Sequence, residues 1–417
     1  MRLLRETDAS LLWAVGAIVL LGITMIYSAS SGAVEWKKQA LYAVLAGGAL
    51  VAVIHIPNRM LYALAYPFYL ISLVSLVIVL FWGSGEDSSS WLTMGPLSMQ
   101  PSEFAKIATI LTLAHYLGDR TVEQINHYKT LIGTLVIALP PMALIVDQPD
   151  LGTALTLAAI LLPMLYWAGM NPLYLFVIVA PLLSVVCSFE PLWQGAAPFV
   201  FAAFVLLCSL ALHLFFARLW VTLSMLGVNL GAGLATVYLW EHMLHGYQKD
   251  RILTFLDPER DPLGAGYHIL QSKIALGSGG MFGKGFLEGT QSHLNFLPEK
   301  QTDFIFTMLA EELGMVGCLA LLGLYTLTLL IAFAIAMRSQ SLFGRMLAMG
   351  VATIFFLYVF INVAMVTGLI PVVGVPLPLV SYGGTAMLTM MIGMGLLMGV
   401  DIHRDLRLGR HGEAITS

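Results

Sequence analysis

The stretch ASLLWAVGAIVLLGITMIYS, residues 9–28, decides the fold class. It carries no charged side chain. As a helix rising about 1.5 Å per residue it would reach about 30 Å, the thickness of a bilayer's hydrocarbon core. Similar stretches recur at about 39–56, 60–82, 102–117, 131–147, 151–168, 173–189, 195–215, 219–240, 312–336, 345–368 and 380–400, so twelve spans are expected. Composition agrees. Of 417 residues 59% are apolar and 11% charged, against about 25% charged in a soluble domain. Mean hydropathy is +0.86. These values exclude a disordered chain, a nucleic-acid-binding protein and an ordinary cytosolic enzyme, and predict an all-α, polytopic integral membrane protein forming one domain over 1–417. The net charge of −4 is too small to indicate an acidic or basic partner. Arg2 and Arg5 before the first stretch, and Ser28-Ala29-Ser30 after it, resemble signal-peptide flanks, but the apolar run has the length of a span. Cys187, Cys208 and Cys318 all sit in apolar runs and read as small buried side chains.

Charge placement sets the expected orientation. With both termini on the cytoplasmic side, the inner loops and ends collect Arg2, Arg5, Arg59, Arg120, Lys129, Arg218, Arg338, Arg345, Arg404, Arg407 and Arg410. The short outer loops then hold only Lys37 and Lys38, as the positive-inside rule requires. Residues 241–302 form one large extracytoplasmic loop, long enough to escape that rule. Within it Tyr267, Leu270 and Ile274 fall at i, i+3 and i+7, the pattern of a short helix lying in the membrane interface. A glycine-rich run, GSGGMFGKG at 277–285, follows. It is not a Walker A loop, because Ser278 and Gly285 stand where that motif needs Gly and Ser or Thr. It reads as a flexible surface loop, although its amides could meet a phosphate.

Ionisable residues inside spans cost about 2.5–3.5 kcal/mol on insertion scales, so the few present are informative. They are Glu103, Lys106, Asp147, Asp150, Asp303, Glu311 and Glu312. Thr302-Asp303-Phe304 opens a helical run to about 336, roughly 50 Å and too long for one span. Its first turns must protrude or line a cavity. Thr302 could cap that helix with Asp303 complementing its dipole, or Asp303 could be a general base at the rim. Asp150, in the turn QPDLGT, could be a helix cap. Glu103 and Lys106, at i and i+3, could simply pair, or Lys106 could meet an anionic headgroup. The uncharged, Pro- and Gly-rich stretch 368–384 fits a re-entrant segment. The scattered His, including His242 and His245, form no structural metal site.

Together these pieces resemble the SEDS family (shape, elongation, division and sporulation) of bacterial cell-wall polymerases. The matching segments are QPSEFAK at 100–106, QPDLGT at 148–153, DPLGAGYHILQSKIALGSGG at 261–280, GKGFLEGTQSHLNFLPEKQTDFIF at 283–306, LAEELG at 309–314 and GLIPVVGVPLPLVSYGG at 368–384. They span the chain except about 169–245, and their wording is similar to the rod-shape (RodA) branch rather than the division (FtsW) branch. The family usually has ten spans, so the resemblance implies an extra transmembrane pair within 169–245.

The resemblance implies a peptidoglycan glycosyltransferase of the plasma (inner) membrane, its active site outside. It would polymerise lipid II beside a class B penicillin-binding protein and the elongation machinery. It places the catalytic aspartate at Asp303 and substrate-binding positions at Lys106, Glu103, Trp91 and Asp150. Gln148, Lys284 and Ser381 lie in the same matching segments and join that expected set. An α-linked donor giving a β-1,4 glycan means inversion, for which one base suffices. The departing lipid diphosphate needs a cation: Lys106, a loop Lys or Arg, or a divalent ion such as Mg or Mn. No other cofactor is expected. Two positions depart from the family: Gln301 where His usually precedes Thr-Asp, and Ser90 where a basic residue usually precedes Trp91. The rival expectations are a lipid II flippase and a non-catalytic cell-wall scaffold, either of which would also use an apolar groove with a few intramembrane charges.

Overall fold

The computed structural model describes residues 9–30, 32–83, 90–94, 97–216, 219–243, 249, 253–261, 266–290 and 300–403. Parts of the 241–302 loop, including 291–299 of the matching segment 283–306, and Arg2, Arg5, Arg218, His245, Arg404, Arg407 and Arg410 lie outside the described residues. In chain order the long helices are α1 (Ala9–Ala29), α2 (Glu35–Ile54), α3 (Asn58–Trp82), α4 (Pro101–Gly118), α5 (Tyr128–Val146), α6 (Leu151–Ala168), α7 (Pro172–Ser188), α8 (Ala197–Phe216), α9 (Leu219–Tyr238), α10 (Tyr267–Ser278), α11 (Ile305–Arg338), α12 (Leu342–Val366) and α13 (Gly384–Ile402). A small antiparallel hairpin, β1 (Leu92–Met94) and β2 (Leu97–Met99), joins α3 to α4.

Among the described residues, ten helical stretches are long and apolar enough to cross a membrane: α1, α2, α3, α5, α6, α8, Thr222–Met243, α11, α12 and α13. The other two expected spans are helices as well. α4 carries Glu103 and Lys106 and is mostly buried by protein, and α7 is 17 residues long. Helix ends differ from the hydropathy reading by up to seven residues, most at the start of α11.

Contacts divide the chain into two compact units, Met1–Gly169 with Gln271–Ser417, and Met170–Leu270. In the first, α12 and α13 are central, with 78% of each span buried by protein against 17% for α2. The second holds α7, α8 and α9 around Ala180, Cys208 and Leu212. Inside it the Ser184 hydroxyl donates to Asn229 Oδ1 at 3.1 Å. Such a polar pair satisfies itself where no water is available. Leu206, Leu207, Leu210 and Leu214 of α8 are exposed, as lipid-facing residues are. Cys208 is buried, Cys187 and Cys318 are half-buried, and all three thiols are free.

Two features position the site. First, α11 is broken. Gly314 takes φ 67° and ψ −163°, conformations open to glycine. The 24 residues after it suffice for one span, so the expected 50 Å rod is a short helix followed by a spanning one. Second, 368–384 enters the protein as irregular chain. A Cβ on Gly22 would lie 2.7 Å from Val380 Cα and 2.8 Å from the Leu379 carbonyl. Gly22 stands seven residues from the end of α1, roughly 10 Å along a helix. The segment therefore reaches well below the helix ends and is covered by protein, as irregular backbone at that depth must be. Residues 377–381 are buried.

Candidate functional site

Asp303 is not in a helix. Residues 300–304 form a turn, and α11 begins at Ile305 with Phe304 at the cap position and no side-chain cap. The expected Thr302 cap is replaced by bonds from other parts of the chain, which take the carbonyls of this turn. Tyr382 N donates to the Gln301 carbonyl at 2.8 Å. The Ser381 hydroxyl donates to the Thr302 carbonyl at 2.5 Å and accepts from Leu377 N at 2.7 Å. Asn362 Nδ2, on α12, donates to the Asp303 carbonyl at 3.0 Å and to the Val375 carbonyl at 2.8 Å. These bonds hold residues 300–304 as a turn ahead of the helix. The Asp303 carboxylate then lies beside Gly374, where a Cβ would come within 3.5 Å of Oδ2. Lys300, in the same turn, is half-buried, and burial pushes its ammonium pKa below the usual lysine value.

Asp150 borders the same irregular segment from another side. It caps α6 as expected, accepting from Thr153 N at 3.0 Å. Two residues on, a Cβ on Gly152 would lie 2.5 Å from the Val373 carbonyl. Thus Asp303 and the start of α6 both flank residues 373–375. Gln100 Nε2 donates to Asp150 Oδ2 at 3.1 Å. Gln100 N and the Ser98 carbonyl both face Thr385 Oγ1 of α13 at 3.4 Å, which ties the β1–β2 hairpin to that helix. Trp91 is half-buried at the edge of the hairpin and Ser90 is buried. Gln148 is fully buried, and its Nε2 donates to the Leu76 carbonyl at 3.2 Å.

Lys106 is a different case. It is fully buried and pairs with Glu103 at 2.6 Å. Tyr358 OH and Thr389 Oγ1 also donate to that carboxylate, at 3.0 and 3.1 Å. The ammonium sits 4.3 Å from the Tyr358 ring centroid, a cation–π distance. This network joins α4, α12 and α13. Lys106 has no surface to offer a diphosphate here, so of its two expected roles the structure favours the ion pair.

Lys284 is likewise committed. Its Nζ reaches Glu311 at 2.6 Å and Thr290 at 2.7 Å. Glu312 accepts from the Ser28 hydroxyl at 2.5 Å. The glycine-rich run is docked rather than flexible: Lys284 N and Gly285 N donate to the carbonyls of Glu311 and Glu312, and Gly283 N to that of Gly279. These amides are therefore occupied and unavailable to a phosphate. The break at Gly314 is what turns the α11 carbonyls toward them. On α10 the packed face is Ser272 and Ala275, with Ser272 bonded to Thr307 and to the Val366 carbonyl. The Tyr267, Leu270 and Ile274 stripe stays half-buried to exposed, as an interfacial apolar face would.

Sequence reasoning missed Asn362, Tyr358, Thr389 and Gln100. All are uncharged side chains; Gln100 opens the matching segment QPSEFAK, and nothing in the local spacing marks the other three. Two cavities lie away from these residues. One of about 380 Å³ is lined by Asp119, Arg120, His127 and Lys129. The other, of about 250 Å³, is an apolar groove between α11 and α12.

The family model of FtsW, RodA and SpoVE, described as cell cycle protein, matches residues 7–194 and 196–406. The chain belongs to this family. It is 38% identical to the peptidoglycan glycosyltransferase MrdB of Escherichia coli K12, over 96% of this chain and 94% of that one. It is 38% identical to the peptidoglycan glycosyltransferase RodA of Treponema pallidum, over 95% and 98%. Among solved structures it resembles one describing structural coordination of polymerization and crosslinking by a peptidoglycan synthase complex, with TM-score 0.71, 29% identity and coverage of 96% and 98%. It also resembles the rod shape determining protein RodA of Thermus thermophilus, with TM-score 0.62, 25% identity and the same coverage. The family match passes through 169–245.

Proposed function

We propose that this peptidoglycan glycosyltransferase polymerises lipid II at the outer face of the bacterial plasma membrane, with Asp303 as general base. The carboxylate takes the proton from the 4-hydroxyl of the acceptor GlcNAc. The oxygen then attacks C1 of the lipid-linked donor sugar, and undecaprenyl diphosphate leaves with inversion. The observation that carries this reading is the clamp on the 300–304 turn. It fixes Asp303 through its main chain beside Gly374, on half-buried to exposed irregular backbone next to the apolar helices that would hold the prenyl tails. Catalysis by one base requires such a fixed geometry.

The other positions take supporting parts. Asp150 and Gln148 shape the entrance to α6. The hairpin that follows Trp91 is tied to α13 at Thr385. Glu103 with Lys106, Ser381 and Lys284 hold elements together rather than touch substrate. The departing diphosphate still needs a cation, and Lys300, three residues before Asp303, is the loop lysine or arginine assigned to it in this reading. A divalent ion is compatible with one carboxylate, Asp303, plus diphosphate oxygens, a mode common for Mg. No group of three or more His, Cys, Asp or Glu that could hold an ion occurs among the described residues. When bound, the ion would supply charge neutralisation at the leaving group. In this reading both termini are cytoplasmic. A class B penicillin-binding protein cross-links the product within the elongation machinery, in keeping with the similar complex that coordinates polymerization and crosslinking.

The deciding experiment uses purified chain with its transpeptidase, supplied with lipid II. Asp303→Asn should fold normally and lose about 10²–10⁴-fold in polymerisation rate, the usual worth of a general base. A rate within threefold of the parent would overturn the assignment.

A further inference from the structure

We infer that Asn362 is the positioning residue that sets the Asp303 carboxylate against the re-entrant segment. This inference rests on the reading of Asp303 as the base. Asn362 lies four residues before the end of α12 and is fully buried. Its Nδ2 carries two hydrogens and both are used, one on the Asp303 carbonyl at 3.0 Å and one on the Val375 carbonyl at 2.8 Å. Gly374, the residue next to Val375, is the one that approaches Asp303 Oδ2. One amide group therefore spans the two pieces of irregular chain that meet at the carboxylate, and anchors both to the most enclosed part of the helix bundle.

The other end of the same side chain shows the cost. Asn362 Oδ1 is buried and has no hydrogen-bond partner among the described residues. A buried amide oxygen without a partner is unfavourable, and packing alone would be served as well by leucine. Only the donor end makes bonds, and both bonds end at the site. Ser381 makes a comparable bridge one residue upstream, from the re-entrant segment to Thr302. That bond ends on Thr302, whereas the Asn362 bond ends on Asp303 itself.

The test measures kcat and KM for lipid II across pH, with full-length protein and its transpeptidase, alongside thermal unfolding. Asn362→Leu keeps the approximate shape and removes both donors. Asn362→Asp keeps the shape and faces two carbonyls with a carboxylate. Asn362→Gln keeps the donors on a longer arm. Expected for Leu and Asp is a fall in kcat of about 100-fold, the scale of a misplacement near 1 Å, with KM within about threefold. The acid limb of the kcat profile should move by at least about half a pH unit, because that limb reports the base in the complex. Gln should recover at least about tenfold of the loss. A merely structural role would lower the unfolding temperature and leave kcat per folded molecule and the acid limb unchanged. That result, or failure of all three variants to fold, would overturn the inference. Asp303→Asn is run beside them. If it is active, the base assignment fails. If it is inactive while Asn362→Leu is normal, only the positioning role fails.

Discussion

Asp303 and Lys106 are both ionisable residues in a chain built for lipid, yet their surroundings are opposite. Lys106 stands on a regular helix, pairs with Glu103 and lies over the Tyr358 ring, and Tyr358 and Thr389 from two other helices donate to the same carboxylate. Its charge is spent within the protein. Asp303 stands on a turn, and the bonds that locate it go to main-chain carbonyls at 301, 302 and 303. Its main chain is held by donors from Asn362, Ser381 and Tyr382. A charge held by side chains stabilises a packing arrangement. A charge held through its backbone can be rigid and still have a proton to exchange. This distinction separates structure from chemistry more reliably than the rarity of charges does.

The largest expected effect tests the structural half. Glu103→Ala leaves the Lys106 ammonium fully buried without its counter-ion, and breaking a buried pair costs about 3–5 kcal/mol. The protein should lose most of its detergent-solubilised folded yield. The double replacement Glu103→Gln with Lys106→Met removes both charges and should regain stability to within about 1–2 kcal/mol of the parent. If the pair is only a packing device, the double variant polymerises lipid II near the parental rate. A stable but inactive double variant would return Lys106 to the diphosphate site.

Local pairs were legible in the sequence. The apolar helices, the Asp150 cap and the i, i+3 pairing of Glu103 with Lys106 all depend on residues a few positions apart; the cap and the pair have the expected form, and ten of the twelve expected spans are long and apolar enough to cross among the described residues. Non-local bonds were not legible. The spacing puts a helix start at Thr302, but three donors from 362, 381 and 382 take the carbonyls there and move the start to Ile305. The glycine-rich run reads as flexible because glycine is permissive. Here the same property lets Gly283 approach the Glu312 carbonyl, to 2.0 Å from where a Cβ would be, and the run docks. The apolar stripe on α10 is real, yet the face against protein is the smaller Ser272–Ala275 side. In a membrane an apolar face need not point inward, so the stripe identifies the lipid side as readily as the core.

A middle-sized effect is expected at Gly152, where the start of α6 meets the re-entrant segment. A methyl group there would come within 2.5 Å of the Val373 carbonyl and 3.0 Å of Val375 Cγ2. Backbone must move, and overpacking of this kind costs about 1–3 kcal/mol. Because Gly374 lies between those two residues, the shift should reach Asp303. Gly152→Ala should therefore unfold at lower temperature and also polymerise lipid II about tenfold more slowly per folded molecule. Loss of stability with a parental rate would show that the 373–375 segment and the carboxylate are not mechanically joined.

The smallest effect is the most specific. Gly374 has φ +66°, and a Cβ there would find only Asp303 Oδ2, at an ordinary contact distance of 3.5 Å. Sterically alanine fits; conformationally it costs about 1–2 kcal/mol, because an L-residue is strained in the left-handed region. Asparagine tolerates that region better than alanine. Gly374→Asn should therefore be the more stable of the two variants while placing a larger polar group against the carboxylate. If residue 374 serves only the backbone turn, activity should follow stability, with Asn above Ala. If the gap beside Asp303 must stay open for a sugar hydroxyl, the order reverses: Ala keeps polymerisation within about fivefold of the parent and Asn falls further. Unfolding temperature and lipid II turnover measured on the same two proteins distinguish these orders. The second is expected, because the one atom a Cβ would meet belongs to Asp303.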